Sequence, residues 1–251
     1  MVADGRYTQA SILRAEWMYG EDFQSHGGVE TVDEACQRIG VQPGWRVLEA
    51  GSGLGGAAFH LAHRYGAHVV GLDASPDMVH LSEARRRQKG LDTVEFRLGD
   101  LCTQDFPPAY DLVWARDCLL HLSDKAAGFR RLYAALKPGG TLYIADSCRP
   151  AYALSAEFIG YLHECDYHLL DLQDYAETLR QAGFTLTVAE DQTRRYADSL
   201  VFELERLTRT RESFLRDFSE DDFNYLVGRW QKKIHFCETG HLRWGVFLAT
   251  K

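Results

Sequence analysis

Val47-Leu48-Glu49-Ala50-Gly51-Ser52-Gly53-Leu54-Gly55-Gly56 carries an apolar strand through an acid into a glycine-rich turn. Residues without Cβ let the chain turn this tightly after a strand and let a ligand lie against the peptide units. A second apolar run, Val69-Val70-Gly71-Leu72, ends at Asp73, 22 residues after Gly51. An acid about that far downstream is placed to accept hydrogen bonds from ribose hydroxyls. Together these strand ends predict a nucleotide-like cofactor.

Working outward, strands and helices alternate between 45 and 146, the pattern of a parallel sheet covered on both faces. Strands are predicted at 45–50, 68–73, 94–98, 110–115 and 141–146. Helices are predicted at 55–65, from the Ser75-Pro76 start through Lys89, and at 125–136, where Lys137-Pro138-Gly139-Gly140 stops the chain and turns it. Helical stretches follow near 155–165 and 171–182, then a strand near 184–189. Residues 197–234 read as helical, with Ser219-Glu220-Asp221-Asp222 as a capped start. The last strand, Leu242 to Ala249, is expected to return antiparallel beside the one before it. Ligands of such sheets bind outside the carboxyl ends of the strands. Glu49, Asp73, Asp100, Asp117 and Asp146 are all expected there, in one cleft, with Asp100-Leu101 near an adenine ring.

Glu49 narrows the cofactor. A pyrophosphate prefers bare amides at a helix N-terminus. An acid two residues before the first glycine suits a cationic ligand instead. S-adenosylmethionine, with its ammonium and sulfonium, fits better than a nicotinamide dinucleotide. Gln24, Ser25, Ala74 and Arg116 complete the expected cofactor side with Glu49, Gly51, Gly53, Asp73, Asp100 and Leu101.

The 251 residues suit a single domain, with 45% apolar and 25% charged side chains. The net charge of −8 opposes a nucleic-acid partner. Arg85-Arg86-Arg87 reads as a solvated helix face. No apolar run approaches the roughly 20 residues that span a bilayer, and Met1 to Arg6 lack a signal-peptide core. A cytoplasmic monomer without membrane contact is expected. Cysteines 36, 102, 118, 148, 165 and 237 form no C-x-x-C pair and read as reduced thiols. His60 with His63, or His163 with Cys165 and His168, are too loose a set for a metal, so none is expected.

Three further motifs bear on the family. Arg116-Asp117-Cys118-Leu119-Leu120-His121 follows the strand at 110–115, Arg243 to Lys251 reads R-W-G-V-F-L-A-T-K, and Tyr19-Gly20-Glu21-Asp22-Phe23 leads to Gly27-Gly28. With Gly51 to Gly56, they make the chain resemble the class I S-adenosylmethionine-dependent methyltransferases, and among these the phosphoethanolamine N-methyltransferases over nearly its whole length. The resemblance implies an α/β fold with a Rossmann-like, seven-stranded, mostly parallel sheet and one antiparallel strand. It implies a helical lid over 1–40, a cofactor-binding core over 45–146, and substrate-side helices inserted before the final strands over 147–251. It implies that Tyr7 and His121 close over the ligands and support catalysis, with Tyr7 also on the cofactor side. Asp117 would hold the substrate amine, and Tyr161, Tyr167 and Lys233 its phosphate. Two phosphate-site positions depart: Ser147 replaces a tyrosine and Cys165 an arginine. A thiol neither carries the guanidinium charge nor offers its planar fork. Arg149, Arg6 and His163 are the candidates to replace it.

An amine whose pKa is about 10 must lose a proton before it attacks a methyl group. Asp117 and His121, four apart, are expected to share a helical face, the acid orienting the ammonium and the imidazole taking the proton. N-methylation of phosphoethanolamine or a similar small amine is the expected reaction. The alternative is the same fold acting on another metabolite or natural-product acceptor without a phosphate.

Overall fold

The structure, a computed structural model, describes residues 8–251. The fold is a seven-stranded sheet in the order β3-β2-β1-β4-β5-β7-β6. The strands are β1 (Arg46–Ala50), β2 (His68–Asp73), β3 (Val94–Leu98), β4 (Tyr110–Arg116), β5 (Leu136–Cys148), β6 (Thr185–Asp191) and β7 (Arg243–Thr250). Only β7 is reversed, pairing antiparallel with both β5 and β6. The helices are α1 (Gln9–Tyr19), α2 (Gly28–Ile39), α3 (Gly56–Tyr65), α4 (Pro76–Lys89), α5 (Lys125–Ala135), α6 (Ala156–Cys165), α7 (Leu172–Gln181), α8 (Thr193–Arg209), α9 (Arg211–Phe214) and α10 (Glu220–Glu238). Among the described residues, no helix is long and apolar enough to cross a membrane.

The central strands are apolar on both faces because helices cover both. Val47, Leu48, Leu112 and Val113 are fully buried. The chain builds outward from β1 through β2 to β3, then crosses back to place β4 on the other side of β1. That reversal opens a crevice at the carboxyl ends of β1 and β4, where a ligand can enter.

Three expectations are corrected. The chain from 137 to 140 does not separate a short strand from a helix: β5 begins at Leu136, and its register with β4 breaks across Lys137 to Gly140, pairing Tyr110 with Leu136 and Leu112 with Thr141. The stretch 197–234 is not helical throughout: α8 ends at Arg209 and α9 at Phe214, and 215–218 turn before α10, which does begin at the expected capped start, a capping box formed by Ser219 and Asp222. Asp117 and His121 do not share an α-helical face. Asp117 sits at φ 52°, and only a 3-10 turn, Leu119–His121, follows it.

The N-terminal helix is fastened at several points. Arg85 on α4 pairs with Glu16 and, at 2.8 Å, with Asp22, while Arg206 on α8 donates to the carbonyl of Trp17 at 3.2 Å and to that of Met18. Trp17 packs edge-on against Phe214 and Phe218.

The turn after β1 makes a quantitative claim about its glycines. Gly51 and Gly90 have nearly the same left-handed backbone, φ 68° and 65°, but a Cβ on Gly51 would lie 2.3 Å from Cys118 Cβ, whereas one on Gly90 meets nothing within 4 Å. Gly90→Ala should therefore cost about 1 kcal/mol for the backbone alone. Gly51→Ala should cost about 1–3 kcal/mol more from overpacking. Chemical denaturation of the ligand-free variants measures the difference; equal losses would show that Cys118 yields freely.

Candidate active site

The end of β2 clamps the glycine turn. Asp73 Oδ2 accepts from Gly53 N–H at 2.8 Å and Oδ1 from Ser75 N–H at 2.9 Å, while the N–H groups of Gly51 and Ser52 both donate to the Leu72 carbonyl. Each carboxylate oxygen has a second lone pair to offer a ligand. The turn floors a cavity of about 280 Å³. Around it stand Gln24, Ser25, Glu49, Gly51, Gly53, Ala74, Asp100, Leu101 and Arg116, so the structure gathers every described residue expected on the cofactor side. Gln24 is held by bonds from Nε2 to the carbonyls of Ile12 and Phe23, both 3.1 Å, and Asp100 Oδ1 accepts from Cys102 N–H at 2.8 Å.

Two ionisable groups in this wall are buried with unsatisfied atoms. Glu49 Oε2 and both terminal nitrogens of Arg116 have no hydrogen-bond partner among the described residues. Burial pushes the Glu49 carboxyl up to about 8; Asp73 adds to the rise, while the Ala58 N–H and Arg116 oppose it. Leaving such groups unpaired costs about 1–3 kcal/mol each, more when charged. A ligand with an ammonium and a carboxylate would satisfy both.

The rest of the cavity faces the insertion between β6 and β7. Asp117, His121, Tyr167 and Lys233 line it. Asp117 takes its left-handed backbone just beyond β4, where its N–H donates to Ala145 O at 2.9 Å. His121 Nδ1 lies 3.3 Å from the Asp166 carbonyl, and its ring stands edge-on to Tyr167 at 5.3 Å. Lys233, only 4% exposed, donates from Nζ to Tyr19 Oη at 3.4 Å.

Other expected residues stand elsewhere. Tyr7 and Arg6 lie outside the described residues. Ser147 is buried in the β5–β7 ladder opposite Trp244. Tyr161 and Cys165 belong to a layer behind the cavity wall, with the Tyr161 ring 5.9 Å from that of Tyr167. Asp146 does not join the cleft: it is fully buried, accepts from Tyr175 Oη at 3.1 Å, and is pushed up to about 7 by burial. The reason is that β5 runs two residues past it. Arg149 is engaged by the carbonyls of Leu169 and Pro150 and by Asp171 and Asp174, and His163 is exposed, so neither enters the cavity.

Sequence reading missed two wall residues. Tyr19, which the sequence marks only as part of a family motif, lines the cavity beside Lys233. Arg229, one turn before Lys233 on α10, also lines it. Burial works against the Arg229 charge, but Tyr167, Tyr19, Tyr161 and Tyr225 around it shift the balance upward. Spacing of i and i+4 with a lysine already singled out was the available signal.

Comparison with known proteins fits this geometry. A methyltransferase domain profile matches residues 47–140. The phosphoethanolamine N-methyltransferase of Plasmodium falciparum is 34% identical over 252 residues, covering 99% of this chain and 94% of that protein. The chain belongs to the phosphoethanolamine N-methyltransferase family. Phosphoethanolamine N-methyltransferase 1 of Arabidopsis thaliana is 40% identical over 98% of this chain, but the chain spans about half of that relative's length, 50%. Among solved structures, a Haemonchus contortus family member, phosphoethanolamine N-methyltransferase 2, in complex with phosphomonomethylethanolamine and S-adenosylhomocysteine, superposes with a TM-score of 0.95 and 32% identity. That match covers 98% of this chain and 58% of the other.

Glu49 gives the ligand-free protein a distinctive pH response. Its carboxyl is protonated in the fold at neutral pH and ionised in the unfolded chain, whose glutamates titrate near 4.3. The stability this confers is fully present below about pH 4 and is lost as pH rises through the folded value of about 8. Between about pH 5.5 and 7 the slope is about 1.4 kcal/mol per unit from Glu49 alone, or roughly 3–5 °C in Tm for a chain this size, and it falls to about half as pH reaches the folded value. Glu203 and Asp146, each pushed to about 7, steepen it. Thermal melts should show that Glu49→Gln flattens the curve by that amount. Identical slopes in both proteins would mean that Glu49 is ionised at neutral pH.

Proposed function

We propose that this chain is an S-adenosylmethionine-dependent methyltransferase that N-methylates phosphoethanolamine or its partly methylated forms. The observation that carries the reading is one cavity holding two sets of groups. Unpaired Glu49 and Arg116 stand on its glycine-turn side, and Asp117, His121 and a buried Lys233 on its insertion side.

The first set fits the cofactor. Glu49 meets an amino acid's ammonium, Arg116 its carboxylate, and the spare lone pairs of Asp73 its ribose hydroxyls. S-adenosylmethionine, when bound, supplies a methyl group on a positively charged sulfur. The second set fits a zwitterion with an amine at one end and a phosphate at the other. Asp117 orients the ammonium. The Asp166 carbonyl beside His121 Nδ1 selects the tautomer with hydrogen on that nitrogen, which makes Nε2 the proton acceptor. Holding donor and acceptor in line contributes on the order of 7–11 kcal/mol to such displacements, so enclosure by α1 and α10 matters as much as the base. Tyr7, by family resemblance, closes the site over His121. We take the working unit to be a monomer acting on a small molecule, because a net charge of −8 opposes a nucleic acid.

Incubation with S-adenosylmethionine should add methyl mass to phosphoethanolamine, phosphomonomethylethanolamine or phosphodimethylethanolamine. Methylation of phosphate-free amines alone would replace this acceptor with the other class. His121→Ala should lower kcat by roughly 100-fold or more at neutral pH, with S-adenosylhomocysteine affinity changed less than about threefold by calorimetry. Equal loss of both would make His121 structural.

A further inference from the structure

Among the described residues, four cationic side chains line the cavity: Arg14, Arg116, Arg229 and Lys233. Arg14 is committed to Asp222 and lies 4.7 Å over the Tyr225 ring. Arg116 stands at the end of β4, within the field of Glu49. Arg229 and Lys233 project from the same face of α10, and no carboxylate among the described residues lies within ion-pair distance of either. Hydroxyls surround them instead. Arg229 Nη1 donates to Tyr225 Oη at 3.1 Å, Lys233 Nζ to Tyr19 Oη at 3.4 Å, and the Tyr167 phenol feels both charges.

Lys233 is buried and Arg229 half-buried, and a cation held away from water with no carboxylate of its own is costly unless an anion reaches it. Two positive charges balance those of a phosphate monoester, which carries about −1.5 to −2 at pH 7. The same two charges also act on the Cys165 thiol, which burial pushes up while they pull it down. Arg229 thus brings a guanidinium into the neighbourhood of Cys165, from a different helix.

We propose that Arg229, reaching in from α10, grips the acceptor's phosphate together with Lys233 and replaces the arginine absent at Cys165. This rests on the phosphoethanolamine reading above. The grip is a two-point fork that a lysine cannot reproduce, which makes Arg229 a determinant of specificity for phosphorylated over phosphate-free amines.

Steady-state kinetics test it. Arg229→Gln should raise KM for phosphoethanolamine roughly 10- to 100-fold, with kcat within about threefold and S-adenosylhomocysteine affinity unchanged. Arg229→Lys should fall between, and adding Cys165→Arg to Arg229→Gln should recover part of the lost KM. An unchanged KM in Arg229→Gln that still binds S-adenosylhomocysteine overturns the proposal. If the native protein methylates no form of phosphoethanolamine, the acceptor reading has failed, and inorganic phosphate titrated into the S-adenosylhomocysteine complex decides the anion site alone. Binding by the native protein but not by Arg229→Gln supports the site; equal binding, or none by either, removes it.

Discussion

Everything at this site is positioned from the hold that Asp73 has on the turn after β1. One carboxylate ties the end of β2 to Gly53 and to the start of α4, so two loops and two helices share a single anchor. Gly51 and Gly53 accept left-handed backbone to make this possible, and the lack of Cβ on Gly51 lets Cys118 approach from the β4 side. The crevice left by the strand reversal is therefore floored by peptide units, with Glu49 beneath them. A carboxyl so placed is out of water and far from its ordinary titration range before any ligand arrives.

Much of this was legible in the sequence because the decisive signals are local. Apolar runs bounded by glycine, proline and acids located β1 to β4 to within about one residue, though β5 starts five residues before its expected place, and Ser75-Pro76 and Ser219 marked helix starts that the structure keeps. The glycine turn and the acids at 49, 73, 100 and 117 converge as expected. The errors came where local pattern does not fix geometry. Residues 210–218 contain neither glycine nor proline, so nothing marks where α8 ends, and only the capped start at Ser219 announces α10. A spacing of four cannot distinguish a helix from a left-handed aspartate followed by a 3-10 turn. Asp146 was misplaced because β5 continues to Cys148, and an acid two residues inside a strand faces the core, not the cleft.

Arg229 illustrates a deeper limit. Read along α10, an arginine four residues before a lysine on an amphipathic helix describes a solvated face, the commonest use of that pattern. What changes its meaning is the docking of α10 against α1. Arg14 meets Asp222 there, and Lys233 meets Tyr19. Positions more than two hundred residues apart in sequence become neighbours, and a surface charge becomes part of a wall.

The helices α8 to α10 leave the sheet after β6 and return to it at β7, and those two strands still pair from Thr185 with Thr250 to Asp191 with Gly245. The part of the acceptor wall that carries Arg229 and Lys233 therefore hangs on the sheet as an excursion from an adjacent strand pair, while Asp117, His121 and the cofactor wall belong to the strand ends themselves. Such a division lets the two halves diverge at different speeds. Exchanging residues along one inserted helix can redirect the protein to a new acceptor, and the sheet that holds the methyl donor need not register the change.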